Sequence, residues 1–100
     1  MPRANIRIRI TGRAVDLALS PRRAGAVELN PQARVILQHA EIDRANLGAR
    51  IVVCTVPEAR VLLDHFSGLV DVLTGHGDPD AAICAAARDV VRRAIMRTGT

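Results

Sequence analysis

Ile51-Val52-Val53-Cys54-Thr55-Val56 runs directly into Pro57-Glu58, and the reading of this junction decides the fold. Six apolar or nearly apolar residues rich in β-branched types are too short for a buried helix, so they predict a strand covered on both faces. Proline has no N–H to give to a ladder, so the strand must end by Val56. The next turn starts a helix. Thr55 is a good N-cap, and Glu58 stands three residues later at the capping-box spacing. Pro57 falls in the first turn, where its missing N–H costs nothing. Leu62, Phe66, Leu69, Val70 and Leu73 then recur on one helical stripe, with Arg60, Asp64 and Asp71 off it. Gly68 costs the helix about 1 kcal/mol relative to Ala, for which the expected reason is close approach of another backbone. Thr74-Gly75 is read as the stop, with Gly75 at C′.

Upstream, Ile6, Ile8 and Ile10 alternate with Arg7 and Arg9, the period of a half-buried strand. Val15, Leu17 and Leu19 alternate with Asp16, Ala18 and Ser20 in the same way. With Thr11-Gly12 as a two-residue loop the two runs form a hairpin, with Ile8 opposite Val15, Ile6 opposite Leu17 and Arg7 opposite Asp16. Ser20 to Gly25 reads as a loop, and Val27 and Leu29 as a further alternating run. Two readings compete for residues 32–47. In the favoured one, Asn30-Pro31-Gln32-Ala33 is a turn and Arg34 to Ile42 a long strand. In the other, Asn30 caps a helix that has Pro31 at its first position and ends at Gly48.

Downstream, Asp78 is an N-cap, Pro79 a first helical residue, and Asp80 suits the positive end of the dipole. Ile83, Ala87, Val90, Val91, Ala94 and Ile95 form the stripe of this second helix, opposite Arg88, Asp89 and Arg92. The expected architecture is one α+β domain over residues 1–100. It has two layers: an antiparallel sheet of four to five strands within residues 5–56, and two C-terminal amphipathic helices, about 57–74 and 79–97, on one face.

Composition narrows the function classes. The chain has 100 residues, 49% of them hydrophobic, which is too many for disorder and enough for one modest core. No apolar run approaches the roughly 20 residues needed to cross a bilayer, so no membrane partner is expected. Met1 to Asn5 lacks an apolar signal region, which makes the cytoplasm the default compartment. Cys54 and Cys84 sit in apolar contexts and read as buried free thiols; a disulfide between them requires the second helix to cover the central strand. Phe66 is the lone aromatic residue, which argues against sugar binding and against stacking on single-stranded nucleic acid.

The chemistry-bearing residues do not converge. His39, His65 and His76 lie at no metal-ligand spacing, and the carboxylates of Asp78 and Asp80 beside His76 are explained by the helix start. Asp64, His65 and Ser67 suggest a hydrolase, but at about 100° per residue they diverge around the helix, and a triad base must touch both partners. A thiol inside an apolar strand is inert, and Gly75-His76-Gly77 lacks the rest of any phosphate loop. No cofactor, metal or catalytic residue is expected.

Charge is the more informative feature. All fourteen cationic residues are Arg. Residues 1–50 hold nine Arg against four acids, a formal +5, and residues 51–100 hold five against six, a formal −1. Arg7, Arg9, Arg13, Arg22 and Arg23 are the candidate contacts for an anionic partner; the competing reading is a solvated sheet face whose charges deter edge pairing. No helix-turn-helix or zinc-finger pattern supports base reading. The expected function is a non-enzymatic interaction or regulatory module, a homodimer formed through exposed strand edges and the Ala-rich helix. The alternative is a nucleic-acid-binding protein that uses the arginines on phosphates.

Overall fold

The computed structural model describes residues 5–19 and 31–98. In order these form β1 (Asn5–Thr11), α1 (Gly12–Leu19), α2 (Pro31–Gln38), β2 (Glu41–Ile42), β3 (Ala49–Thr55), α3 (Val56–Gly75) and α4 (Ala81–Thr98). The three strands make one antiparallel sheet in the order β1-β3-β2, so the junction strand is central. Ile6 faces Cys54, Ile8 faces Val52 and Ile10 faces Arg50. Ile6, Ile8, Ile10, Val52 and Cys54 are buried in a core shared with Ala14, Ala18, Leu37, Leu62, Phe66, Leu69 and Val91. The helices therefore lie on the even-numbered face of β1.

The fold is α+β and antiparallel, but the expectation of four to five strands is wrong: among the described residues there are three strands and four helices. The hairpin is the first correction. β1 pairs with β3, and Arg7 lies opposite Val53 rather than Asp16. Residues 12–19 are a helix because Thr11 acts as a cap instead of a turn residue, its Oγ1 accepting the Ala14 N–H at 3.2 Å. Ala14, Val15 and Ala18 form the buried stripe of that helix. The period-two reading counted the larger Leu17 and Leu19, which are only half-buried, and passed over the alanines.

The second correction is the long strand over residues 34–42. Ile36 and Leu37 are both buried while Val35 is exposed. A strand sends consecutive residues to opposite faces, whereas a helix buries Ala33, Ile36 and Leu37 together. The helix also stops well short of Gly48. The His39 and Ala40 amides donate to the Ile36 and Leu37 carbonyls, and the Val35 carbonyl accepts from His39 Nδ1 at 2.8 Å. Only Glu41–Ile42 remains of the strand. The run at Val27 and Leu29 and the loop over 20–25 lie outside the described residues.

The junction itself behaves as its chemistry demands. Thr55 Oγ1 accepts the Glu58 N–H at 3.3 Å, and Glu58 Oε1 accepts the Thr55 N–H at 2.9 Å, completing the capping box. α3 ends at Gly75, within the expected stop, but its C′ residue lies two positions later than expected. Gly77, at φ 66°, is the C′ residue, with the Gly77 amide donating to Thr74 O and the Asp78 amide to Leu73 O. Gly68 is a third correction: among the described residues a Cβ added there meets nothing within 4 Å, so no described backbone makes a close approach to it. A tight turn in which Asp78 Oδ1 accepts the Asp80 N–H at 2.9 Å leads into α4. Cys84, Ala87, Val91 and Ala94 are the buried residues of α4, and α3 packs along it. Ala87 and Ala94 thus serve packing within the chain, whereas Ala82 and Ala86 are exposed. No described helix is long and apolar enough to cross a membrane.

Candidate functional site: the open side of the sheet

Every described helix packs on the even-numbered face of β1, so among the described residues no helix covers the other face, although Ala49 at one end of it is buried. Val53 at the centre of β3 is 55% exposed, which corrects the expectation of a strand covered on both sides. Around it the register sets Asn5 beside Thr55, Arg7 beside Val53, and Arg9 beside Ile51, with Glu41 on the far side of Ile51. The result is an apolar strip, Val53 and Ile51, bordered by two arginines along β1.

The five arginines expected to meet an anion fare differently. Arg7 stands exposed, and among the described residues it has no ion-pair partner. Arg9 does: its Nε lies 2.8 Å from Asp43 Oδ2, and that carboxylate is buried. The side chain must cross over β3 to reach it, because Asp43 follows β2. Asp43 also accepts the Ala45 N–H through Oδ1 at 2.9 Å, so it anchors the loop between β2 and β3. Arg13 leaves the sheet altogether and meets Asp80, at the start of α4, at 3.3 Å. Arg22 and Arg23 lie outside the described residues. The sheet therefore brings Arg7 and Arg9 together and sends Arg13 elsewhere.

The hydrogen-bond parity of β1 adds a feature that no residue count reveals. The Gly12 amide donates to Gly48 O at 2.8 Å, which extends the β1–β3 register by one pair. Bonded and non-bonded pairs alternate in an antiparallel ladder, so Ile6, Ile8 and Ile10 spend their backbone groups on β3. On the other side of β3, the Asp43 amide donates to Ala49 O, which gives the odd-numbered residues of β3 to β2, as the same alternation requires. The N–H and C=O groups of Asn5, Arg7, Arg9 and Thr11 consequently point away from the sheet. Among the described residues no strand receives them.

Of the other reactive groups, His39 and His76 are exposed, while His65 and the two cysteines are buried. His65 is buried, and the Ala18 carbonyl lies 3.3 Å from its Nε2, tying α3 to the last turn of α1. Burial lowers its pKa, opposed in part by that backbone bond. Its burial was legible, since it lies three residues after Leu62 and four before Leu69. Cys54 and Cys84 are free and buried. Burial, with Glu58 nearby, pushes the Cys54 thiol up to about 11. Burial, with Asp80 and Asp78, does the same to Cys84, also to about 11. Neither forms a useful thiolate near neutrality. Among the described residues no three His, Cys, Asp or Glu side chains converge on a metal position. A groove of about 510 Å3 between the starts of α2 and α3 is lined by Val35, Ile36, Pro57, Glu58 and Val61, among others, and among its described residues there is no nucleophile beside a base. No protein-family model, curated protein or solved structure matches this chain.

Proposed function

We propose that this chain is a non-enzymatic interaction module that docks a protein partner on the open side of its sheet. The carrying observation is the strip of Val53 and Ile51 bordered by Arg7 and Arg9 on a face that no described helix covers. Such a surface joins an apolar centre to a charged rim, the division found at protein interfaces.

The phosphate reading draws less support. Binding to a nucleic-acid backbone sums contacts from several available cations. Here Arg9 and Arg13 each have a carboxylate partner, and the one aromatic ring, Phe66, is fully buried and offers no stacking platform.

The test is selection of peptides from a random displayed library against the wild-type protein and against Val53→Asp, with each protein's fold checked by circular dichroism. The expected result is a set of peptides enriched on the wild type and lost on the variant. Enriched peptides that bind both proteins equally overturn the reading, as does the absence of any enrichment. A parallel titration with a mixed-sequence DNA duplex at two salt concentrations examines the alternative: micromolar binding that weakens steeply with salt and vanishes in Arg7→Glu would restore the phosphate reading.

A further inference from the structure

We propose that the outer edge of β1 accepts an extended peptide of alternating acidic and apolar residues as a fourth, antiparallel strand. The inference rests on the docking reading and names the partner's chemistry. Three observations meet at this edge. First, among the described residues no strand receives the backbone donors and acceptors of Asn5, Arg7 and Arg9 or the Thr11 amide, while the Thr11 carbonyl is taken by the start of α1. An exposed edge of this kind is a template for strand addition. Secondly, these same residues carry the side chains of the open face, because backbone direction and side-chain direction both alternate with period two. A partner residue bonded to Arg7 or Arg9 therefore stands directly opposite an arginine side chain on the same face. Opposite charges in that position attract, so Asp or Glu matches Arg7, and a second acid two positions away meets Arg9, whose guanidinium it must share with Asp43 and which contributes less. Thirdly, the intervening partner residues fall on the other face, where they continue the buried row of Ile6, Ile8 and Ile10 over α4. Apolar side chains belong there.

A second copy of this chain does not fit the edge. Pairing two β1 edges antiparallel must join odd residues to odd residues. Every such register that overlaps most of the strand sets Arg7 against Arg9, Arg7 against Arg7, or Arg9 against Arg9 of the other copy. Like charges directly opposite one another are destabilising. The arginines that admit an acidic strand thus refuse a self-pair, which turns the expected homodimer away from this edge.

The experiment titrates a fluorescent, end-blocked peptide, Thr-Val-Glu-Val-Glu-Val-Thr, into the full chain at low salt, and repeats it with two N-methylated forms. The glutamate amides point at β1 and the valine amides next to them point away. Methylation at the glutamates should abolish binding, and methylation at the central valine should leave it within a few-fold. Arg7→Glu should weaken the acidic peptide about tenfold, since an attractive cross-strand pair becomes repulsive, and should accept a peptide with Lys opposite that position. Arg7 is chosen because it holds no carboxylate in the fold, so the variant leaves the Arg9–Asp43 pair in place. Hydrogen exchange at the Arg7 and Arg9 amides should slow on binding, while that of Ile8 stays unchanged. Equal binding of both methylated peptides, or protection centred on Val53 without any at Arg7 and Arg9, overturns strand addition but leaves the docking reading standing. No binding of the acidic peptide to the folded protein also overturns the inference, and the library selection then decides the wider reading independently.

Discussion

Arg9 and Asp43 show how one residue's role depends on what the fold brings to it. By sequence Arg9 is one of several cations in an alternating strand. In the fold its guanidinium reaches across β3 to a buried carboxylate at 2.8 Å. An exposed pair would contribute little, but here loss of the cation leaves a buried charge with fewer partners. Arg9→Ala should therefore destabilise the protein by about 1–2 kcal/mol in urea unfolding, and a double-mutant cycle with Asp43→Asn should show coupling between the two. Independent effects would mean that the pair is absent in solution. His65 gives a pH prediction. Its folded pKa lies below 6.5 because burial disfavours the charged ring. The unfolded chain then binds the proton first as pH falls. The stability tied to His65 is complete above 6.5 and is lost as pH drops from 6.5 toward the lower folded value. His65→Gln should flatten the stability profile between about pH 7 and 5. An unchanged slope would place the titration elsewhere.

At the scale of elements, α3 is defined by its two ends and one interior glycine. Thr55→Ala removes the side-chain half of the capping box and should cost about 1 kcal/mol. Gly77 sits at φ 66°, where a side chain is strained, so Gly77→Ala should destabilise by about 1–2 kcal/mol. Gly68→Ala should do the reverse. The added methyl meets nothing within 4 Å, and the helix gains roughly 1 kcal/mol from the loss of an interior glycine. Thermal unfolding of the three variants orders them; a destabilised Gly68→Ala would reveal a neighbour at that position in solution. These ends and stripes are local, which is why most were legible. The capping box, the Leu62–Leu73 stripe and the helical start near Asp78 all follow from spacings within a few residues. The C′ residue is Gly77 rather than Gly75 because the two glycines are equivalent candidates until the backbone shows which one adopts positive φ.

For the molecule as a whole, the arrangement of helices on one side of a three-stranded sheet creates both a core and an exposed face. Ile8 lies at the centre of that core, 1% exposed, so Ile8→Ala should cost about 2–5 kcal/mol, measured by chemical denaturation. Val53, its neighbour across the ladder by one residue, points to the bare side, and Val53→Thr should change stability by well under about 1 kcal/mol. Comparable losses at both positions would show that the outer face is covered. The contrast separates stability from docking: substitutions on the odd-numbered face should alter partner binding while leaving the unfolding midpoint nearly fixed.

By itself the sequence determined the α+β class, the strand at Ile51 to Thr55, the inward row of Ile6, Ile8 and Ile10, and the capped start of α3, while α4 begins at Ala81, two residues after the expected Pro79. Each depends on periodicity or on capping chemistry that acts over a few residues. Tertiary structure alone decided which strand β1 joins, because pairing with β3 or with the segment after Thr11 satisfies the same backbone groups and the same alternation. It decided that residues 12–19 and 31–38 are helices, since only packing shows that small or consecutive apolar residues are the buried ones. It also decided which arginines remain available: Asp43 and Asp80 are far from Arg9 and Arg13 along the chain and meet them only after folding. The open face and open edge arise at the same level, because a surface left uncovered is a property of where the other elements pack.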